Sequence, residues 1–186
     1  MRILMLGNSF TYCHDMPQIL ARLTESEVIS HTRGGAYLSE QLNPETEMGA
    51  KTERALEQER FDYVILQEQS IAPVAKKDAY FKSVRLLAEK IHRNGAVPIL
   101  YATWAYREGS EKLRATGLSY EEMDRALWES CHMAAEKYGC LVADVGRRFT
   151  QLRALLELYE DDAYHPSEAG SLLAATEIAR ALPKKI

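Results

Sequence analysis

The chain has little of what marks the specialised protein classes. Its 186 residues include three cysteines, Cys13, Cys131 and Cys140, with no C-x-x-C pair. So odd and sparse a set fits a reducing compartment better than a disulfide framework. Ten glycines and six prolines are too few for a linker or low-complexity protein. No apolar run approaches the roughly 20 residues of a membrane helix, and the run from Arg2 to Leu6 is too short for a signal sequence. Positive charge is not in excess: 23 Lys and Arg stand against 27 Asp and Glu, a formal charge of −4, which argues against nucleic acid or an anionic membrane as partner. What is present is ordinary, with 46% hydrophobic and 27% charged residues. A chain of this length buries about 70% of its unfolded surface and folds without disulfides or metal. The expectation is one soluble, cytoplasmic domain over residues 1–186.

Apolar runs alternate with helical patterns. Arg2–Leu6 reads as a strand ending at Gly7, and Asp15 as the cap of a helix to about Glu25. Val28–Thr32 is a weaker strand closed by Gly34-Gly35, and Asn43-Pro44 opens a polar helix to about Glu59. Tyr63–Leu66 is the third strand. Tyr80, Phe81, Val84, Leu87, Ala88 and Ile91 then mark one helix face, ended by Asn94-Gly95. After the Val97–Tyr101 strand, Ser119 and Glu122 form a capping box ahead of the stripe Tyr120, Met123, Leu127, Cys131, Ala134 and Tyr138. Leu141–Ala143 is the fifth strand. A short helix is expected near Gln151–Tyr159, and a last one from the Ser167 cap to about Leu182. The stretch from Ala105 to Gly117 is the longest loop.

Strands that each lead into a helix imply an α/β fold with a parallel sheet covered on both faces, in which ligands bind outside the carboxyl ends of the strands. That rule singles out Gly7–Thr11, Gly34–Tyr37, Gln67–Ser70 and Thr103–Tyr106. Ser9 follows the first strand where a glycine allows a sharp turn, at the mouth of a helix, which suits a nucleophile; a serine there is also a routine cap. Asp162 precedes His165 by three residues, a spacing at which a carboxylate reaches Nδ1–H and leaves Nε2 as a base. Asp161 is adjacent, so the choice between the aspartates rests on spacing, and a solvated surface turn is the plainer alternative. No second His or Cys stands at metal-ligand spacing.

Taken together, Ile3-Leu-Met-Leu-Gly-Asn-Ser-Phe10, the Gly34-Gly35 pair, a polar amide after the third strand and Asp162-Ala-Tyr-His-Pro166 resemble the SGNH (GDSL-type) hydrolase superfamily over nearly the whole chain. The resemblance implies a three-layer, flavodoxin-like α/β/α sandwich with a five-stranded parallel sheet. It also implies Ser9 as nucleophile, His165 as base and Asp162 as the base's partner, with no cofactor. The family's oxyanion hole uses the nucleophile's N–H, a glycine N–H and an asparagine amide. Gly35 matches the glycine, with Gly34 as fallback. The asparagine block G-x-N is replaced by Gln67-Glu-Gln69, so that Gln69, or the longer-reaching Gln67, is left to supply the amide. Asn8 stands where the family more often has Asp.

The implied reaction is ester hydrolysis through an acyl-Ser9 intermediate on a small-molecule substrate, with a small acyl group, such as acetyl on a carbohydrate. Trp104 and Tyr106 after the fourth strand, with Gly34 and Tyr37, are the candidate substrate-binding residues, though Trp and Tyr pack equally well as loop anchors. Thioesterase, lysophospholipase and acyltransferase activities use the same residues. A carbohydrate-binding domain without catalysis draws support only from the missing asparagine. A nucleotide-binding domain is disfavoured, because Asn8-Ser-Phe-Thr11 makes a poor phosphate loop.

Overall fold

A computed structural model describes residues 1–183 of the chain. Five strands, β1 (Arg2–Gly7), β2 (Glu27–Thr32), β3 (Tyr63–Leu66), β4 (Val97–Tyr101) and β5 (Leu141–Ala143), form one sheet in the order 2-1-3-4-5, every neighbour pair parallel. This is the doubly wound, flavodoxin-like order, in which the chain reverses direction across the sheet between β1 and β3.

The continuous apolar composition of the central strands has a direct reading, since both sheet faces are buried. Ile3 and Met5 of β1 face one way, with Ile65, Ile99 and Ala143, onto a core shared with Met16, Leu20, Phe149, Ala174 and Ile178. Those partners belong to helices α2 (Met16–Thr24), α8 (Val145–Leu152) and α9 (Glu168–Ala181). Leu4 and Leu6 face the other way, with Val64, Leu66 and Leu100, onto Leu56, Val84, Leu87, Ile91 and Ala134. These come from α3 (Glu47–Gln58), α5 (Lys77–Asn94) and α7 (Tyr120–Tyr138). Alternation of side chains along a strand therefore produces the two helical layers. Short helices α1 (Ser9–Tyr12), α4 (Ala72–Ala75) and α6 (Glu111–Arg114) and tighter helical turns at Cys13–Asp15 and Leu38–Leu42 lie between these elements.

Several boundaries differ from the sequence expectation. Asp15 does not cap α2; it lies in the left-handed region with φ 52°, and its side chain makes no capping bond. The polar helix starts later than Asn43-Pro44 because Thr46 is the cap, its Oγ1 accepting the Gly49 N–H at 3.0 Å, while Asn43 Oδ1 turns the chain by accepting the Glu45 N–H. The helix expected at Gln151–Tyr159 is instead α8, entered directly from β5. Gly146 makes that entry possible, since a Cβ there would stand 2.2 Å from the Thr103 carbonyl oxygen. The Ala105–Gly117 loop holds α6, whose Leu113 is buried against Tyr106, Tyr120 and Met123. Among the described residues no helix is long and apolar enough to cross a membrane.

Candidate active site

The carboxyl ends of β1, β2 and β3 and the turn before α9 converge on a pocket of about 330 Å³, lined by Asn8, Ser9, Phe10, Gly34, Gly35, Gln69, Tyr164 and His165 among others. Ser9 opens α1, which Asn8 caps by accepting the Phe10 N–H at 3.1 Å. The turn from β1 into α1 is tight because Gly7 has no side chain: a Cβ would meet Gln67 Oε1 at 2.6 Å and Thr11 Oγ1 at 2.4 Å.

Ser9 Oγ lies 2.8 Å from His165 Nε2, and His165 Nδ1 lies 2.5 Å from Asp162 Oδ2. The carboxylate takes Nδ1–H, so Nε2 keeps its lone pair and the Ser9 hydroxyl donates to it. The other carboxylate oxygen, Oδ1, accepts the backbone N–H groups of Tyr164 and His165 at 3.1 and 3.0 Å. Burial works to raise the Asp162 carboxyl, but the hydrogen bonds from the His165 ring and from the two backbone groups outweigh it and hold the group below its usual value. Asp161 makes no such bond, so the three-residue spacing identifies the partner. The turn itself is strained, with Ala163 at φ 69°, and is pinned from β4's side by the Arg107 N–H, which donates to the Ala163 carbonyl at 2.8 Å.

The two glutamines occupy different places. Gln67 is fully buried beneath the pocket and does not line it. Its Oε1 accepts the Asn8 N–H at 2.9 Å and the Thr11 hydroxyl at 3.0 Å, and its amide nitrogen donates to the Glu68 carbonyl. The expectation that Gln67 faces an oxyanion is thereby corrected: the extra methylene carries its amide to the β1–α1 turn. Gln69 does line the pocket. Its Nε2 donates to Ser70 Oγ at 3.2 Å, and a second N–H on that nitrogen faces no other protein acceptor among the described residues. Gly34 and Gly35 form the opposite wall, and Gly35, at φ 68°, has the left-handed backbone that favours glycine.

Two of the expected rim aromatics are interior. Trp104 is 0% exposed, sandwiched between Phe10 (centroids 4.8 Å apart) and Phe149 (3.9 Å), and its Nε1–H donates to the Tyr164 carbonyl at 3.0 Å. It touches the residue after Ser9 and the residue before His165, but does not line the pocket between them. The chain beyond β4 dips back toward the sheet, which a strand-end position in the sequence does not reveal. Tyr106 is also buried, its Oη 2.7 Å from Ser70 Oγ. Tyr37 lies outside the pocket and accepts from Lys76 Nζ at 3.1 Å. The aromatics that do reach the pocket are Tyr12, Phe10 and Tyr164, joined by Lys112 of α6, whose ammonium sits 4.0 Å over the Tyr164 ring.

Residues that sequence reasoning passed over hold the loops. Asn8 Nδ2 donates to the Ala36 carbonyl at 3.0 Å, tying the Ser9 turn to the glycine loop. Glu68, 6% exposed, accepts two backbone N–H groups, from Leu38 at 3.1 Å and Gln69 at 2.7 Å. Burial pushes its carboxyl up to about 7, against the lowering effect of those two bonds. Among the described residues no cluster of His, Cys, Asp and Glu is arranged to hold a metal ion.

No protein-family model matches the chain, and no curated protein does. Solved structures do. One from Slackia heliotrinireducens, assigned to the SGNH hydrolases, is 46% identical over 97% of this chain and 98% of its own, with a TM-score of 0.93. An acetylxylan esterase from Geobacillus stearothermophilus is 18% identical over 97% of this chain and 93% of its own, with a TM-score of 0.70. A hydrolase from the metagenome of Lake Arreo, Spain, is 16% identical over 97% and 94%, with a TM-score of 0.72. At such identities the last two speak for the fold alone. The first speaks for more, and this chain belongs to the SGNH hydrolases, as a serine hydrolase of that family.

Proposed function

We propose that the enzyme hydrolyses a carboxylic ester bearing a small acyl group, in two steps through an acyl-Ser9 intermediate. One observation carries this reading: the unbroken hydrogen-bonded series Ser9–His165–Asp162, at 2.8 and 2.5 Å, on the wall of the 330 Å³ pocket. Ser9 Oγ attacks the ester carbonyl while His165 Nε2 takes its proton. Asp162 stabilises the imidazolium that forms. The tetrahedral oxyanion is received by the N–H groups of Ser9 and Gly35 and by the amide of Gln69, a reading supported by the place of all three residues on the pocket wall. His165 then protonates the leaving alcohol, and later activates the water that releases the acid from Ser9.

The pocket's size supports an acetyl-sized acyl group, and the exposed ring of Tyr12 beside Tyr164 supports a polar alcohol such as a sugar. The acetylxylan esterase similar in fold acts on an ester of that kind. A series of p-nitrophenyl esters tests the acyl preference: kcat/KM is expected to fall steeply from acetate to octanoate, and equal or better turnover of octanoate would refute it. Release of acetate from acetylated xylo-oligosaccharides, absent in Ser9→Ala, tests the alcohol.

A further inference from the structure

Three consecutive residues after β3 serve three different loops. Gln67 holds the Ser9 turn through the Asn8 N–H. Gln69 faces the pocket. Glu68, between them, turns inward, and its single oxygen Oε1 receives both the Leu38 N–H and the Gln69 N–H. Leu38 opens the turn that follows Gly35-Ala36-Tyr37, so one carboxyl oxygen joins the glycine loop to the glutamine loop.

We propose that Glu68 is a positioning residue of the oxyanion hole, which sets the separation between the Gly35 N–H and the Gln69 amide by clamping their two loops. The proposal rests on the ester-hydrolase reading above and deepens it.

Three observations support the assignment. Glu68 is 6% exposed and forms no ion pair with Lys or Arg among the described residues, so its burial is not explained by a cation. A buried carboxyl without such a partner is expensive, and what offsets the cost here is the pair of backbone N–H groups it accepts. The charged and titratable groups around it, Lys76, Glu40 and Tyr80, interact at longer range and none takes its Oε1. Finally, the two N–H groups would be left without an acceptor if the side chain were removed, and each belongs to a loop that also carries a proposed oxyanion donor. The bond to Gln69 is made by the backbone of the very residue that lines the pocket.

The clamp needs an acceptor oxygen at a fixed reach and does not need a charge. Protonation on Oε2 leaves Oε1 as a carbonyl acceptor, and a glutamine presents the same atom at the same distance. An aspartate keeps the charge and withdraws the oxygen by one methylene.

The test compares Glu68→Gln, Glu68→Asp and Glu68→Leu with the wild type on p-nitrophenyl acetate, each at a temperature well below its own thermal midpoint. Glu68→Gln is expected to keep kcat within about threefold. Glu68→Asp and Glu68→Leu are expected to lose about 10²-fold in kcat, the scale of one misplaced oxyanion donor, with KM changed little. Wild-type kcat in Glu68→Asp, or loss in Glu68→Gln equal to that in Glu68→Leu, would overturn the proposal. If Glu68→Leu does not fold, Glu68→Asp decides alone. Failure of both to fold would make Glu68 a fold element and overturn it too. An inactive wild type, by contrast, would strike at the ester-hydrolase reading itself.

Discussion

Trp104 offers a quantitative test of how the site is held. Its ring stacks on Phe10 at 9° and on Phe149 at 4° between planes, and its only polar atom donates to the Tyr164 carbonyl at 3.0 Å. Replacing a fully buried Trp by Ala costs about 3–5 kcal/mol, including about 1 kcal/mol for each lost aromatic pair. For a domain of this size that corresponds to a fall in Tm of about 6–20 °C. Trp104→Phe retains most of the stack but removes the donor, at about 2 kcal/mol. Because the ring bridges the neighbours of Ser9 and His165, Trp104→Phe is also expected to lower kcat with KM little changed. Urea denaturation followed by far-UV circular dichroism gives the stabilities, and steady-state rates on p-nitrophenyl acetate give the split between kcat and KM. A substrate-rim residue behaves in the opposite way. A Trp104→Ala enzyme destabilised by less than 1 kcal/mol, with a raised KM and unchanged kcat, would refute the interior placement.

Other outcomes follow from particular contacts. Asp162→Asn is expected to fold normally and to lose about 10²–10⁴-fold in kcat, because an amide neither fixes the His165 tautomer nor stabilises the imidazolium; rates within tenfold of wild type would contradict that role. Glu68, whose carboxyl burial raises to about 7, binds its proton more tightly folded than unfolded, so stability is lost as pH rises from about 4.5 through 7. Glu68→Gln should therefore gain up to about 3 kcal/mol over wild type at pH 8 and nothing at pH 4, read from urea midpoints at the two pH values. A gain independent of pH would show that the carboxyl is not the source. Gly146→Ala places a Cβ 2.2 Å from the Thr103 carbonyl oxygen, so α8 must shift; a melting temperature equal to wild type would show that the approach is not tight.

Much of the architecture was legible in the sequence, for identifiable reasons. The central strands are short, continuously apolar and bounded by polar turns, which buried parallel strands must be, while the edge strand β2 is mixed and half-exposed. The capping box at Ser119 and Glu122 is local chemistry and marks its helix at the residue. Ser9, Asp162 and His165 stand at loop positions that the strand-end rule selects, and the structure brings the three together. Helix starts failed on local capping, at Asp15 and Asn43, whereas at the site the cause was contact between segments far apart in the chain. Trp104 and Tyr106 look exposed after a strand end, yet the loop folds inward because residues distant in sequence receive them, Phe10 and Phe149 stacking on Trp104, and Tyr164 and Ser70 meeting Tyr106. The choice between Gln67 and Gln69 turns on which side chain Gly7 leaves room for. The helix α8 was displaced because its start depends on the absence of a Cβ beside Thr103, a tertiary constraint that no periodicity carries. Glu68 carries no motif at all; only its two backbone donors reveal it.

The central claim is that Ser9 is activated by His165, and it can be tested without knowing the substrate. The protein is treated with a fluorophosphonate, its intact mass is measured, and the modified residue is located by peptide sequencing. The account predicts one adduct, on Ser9, formed in the wild type and lost in His165→Ala. A folded wild-type protein that gains no adduct, or one labelled equally well without His165, would contradict it.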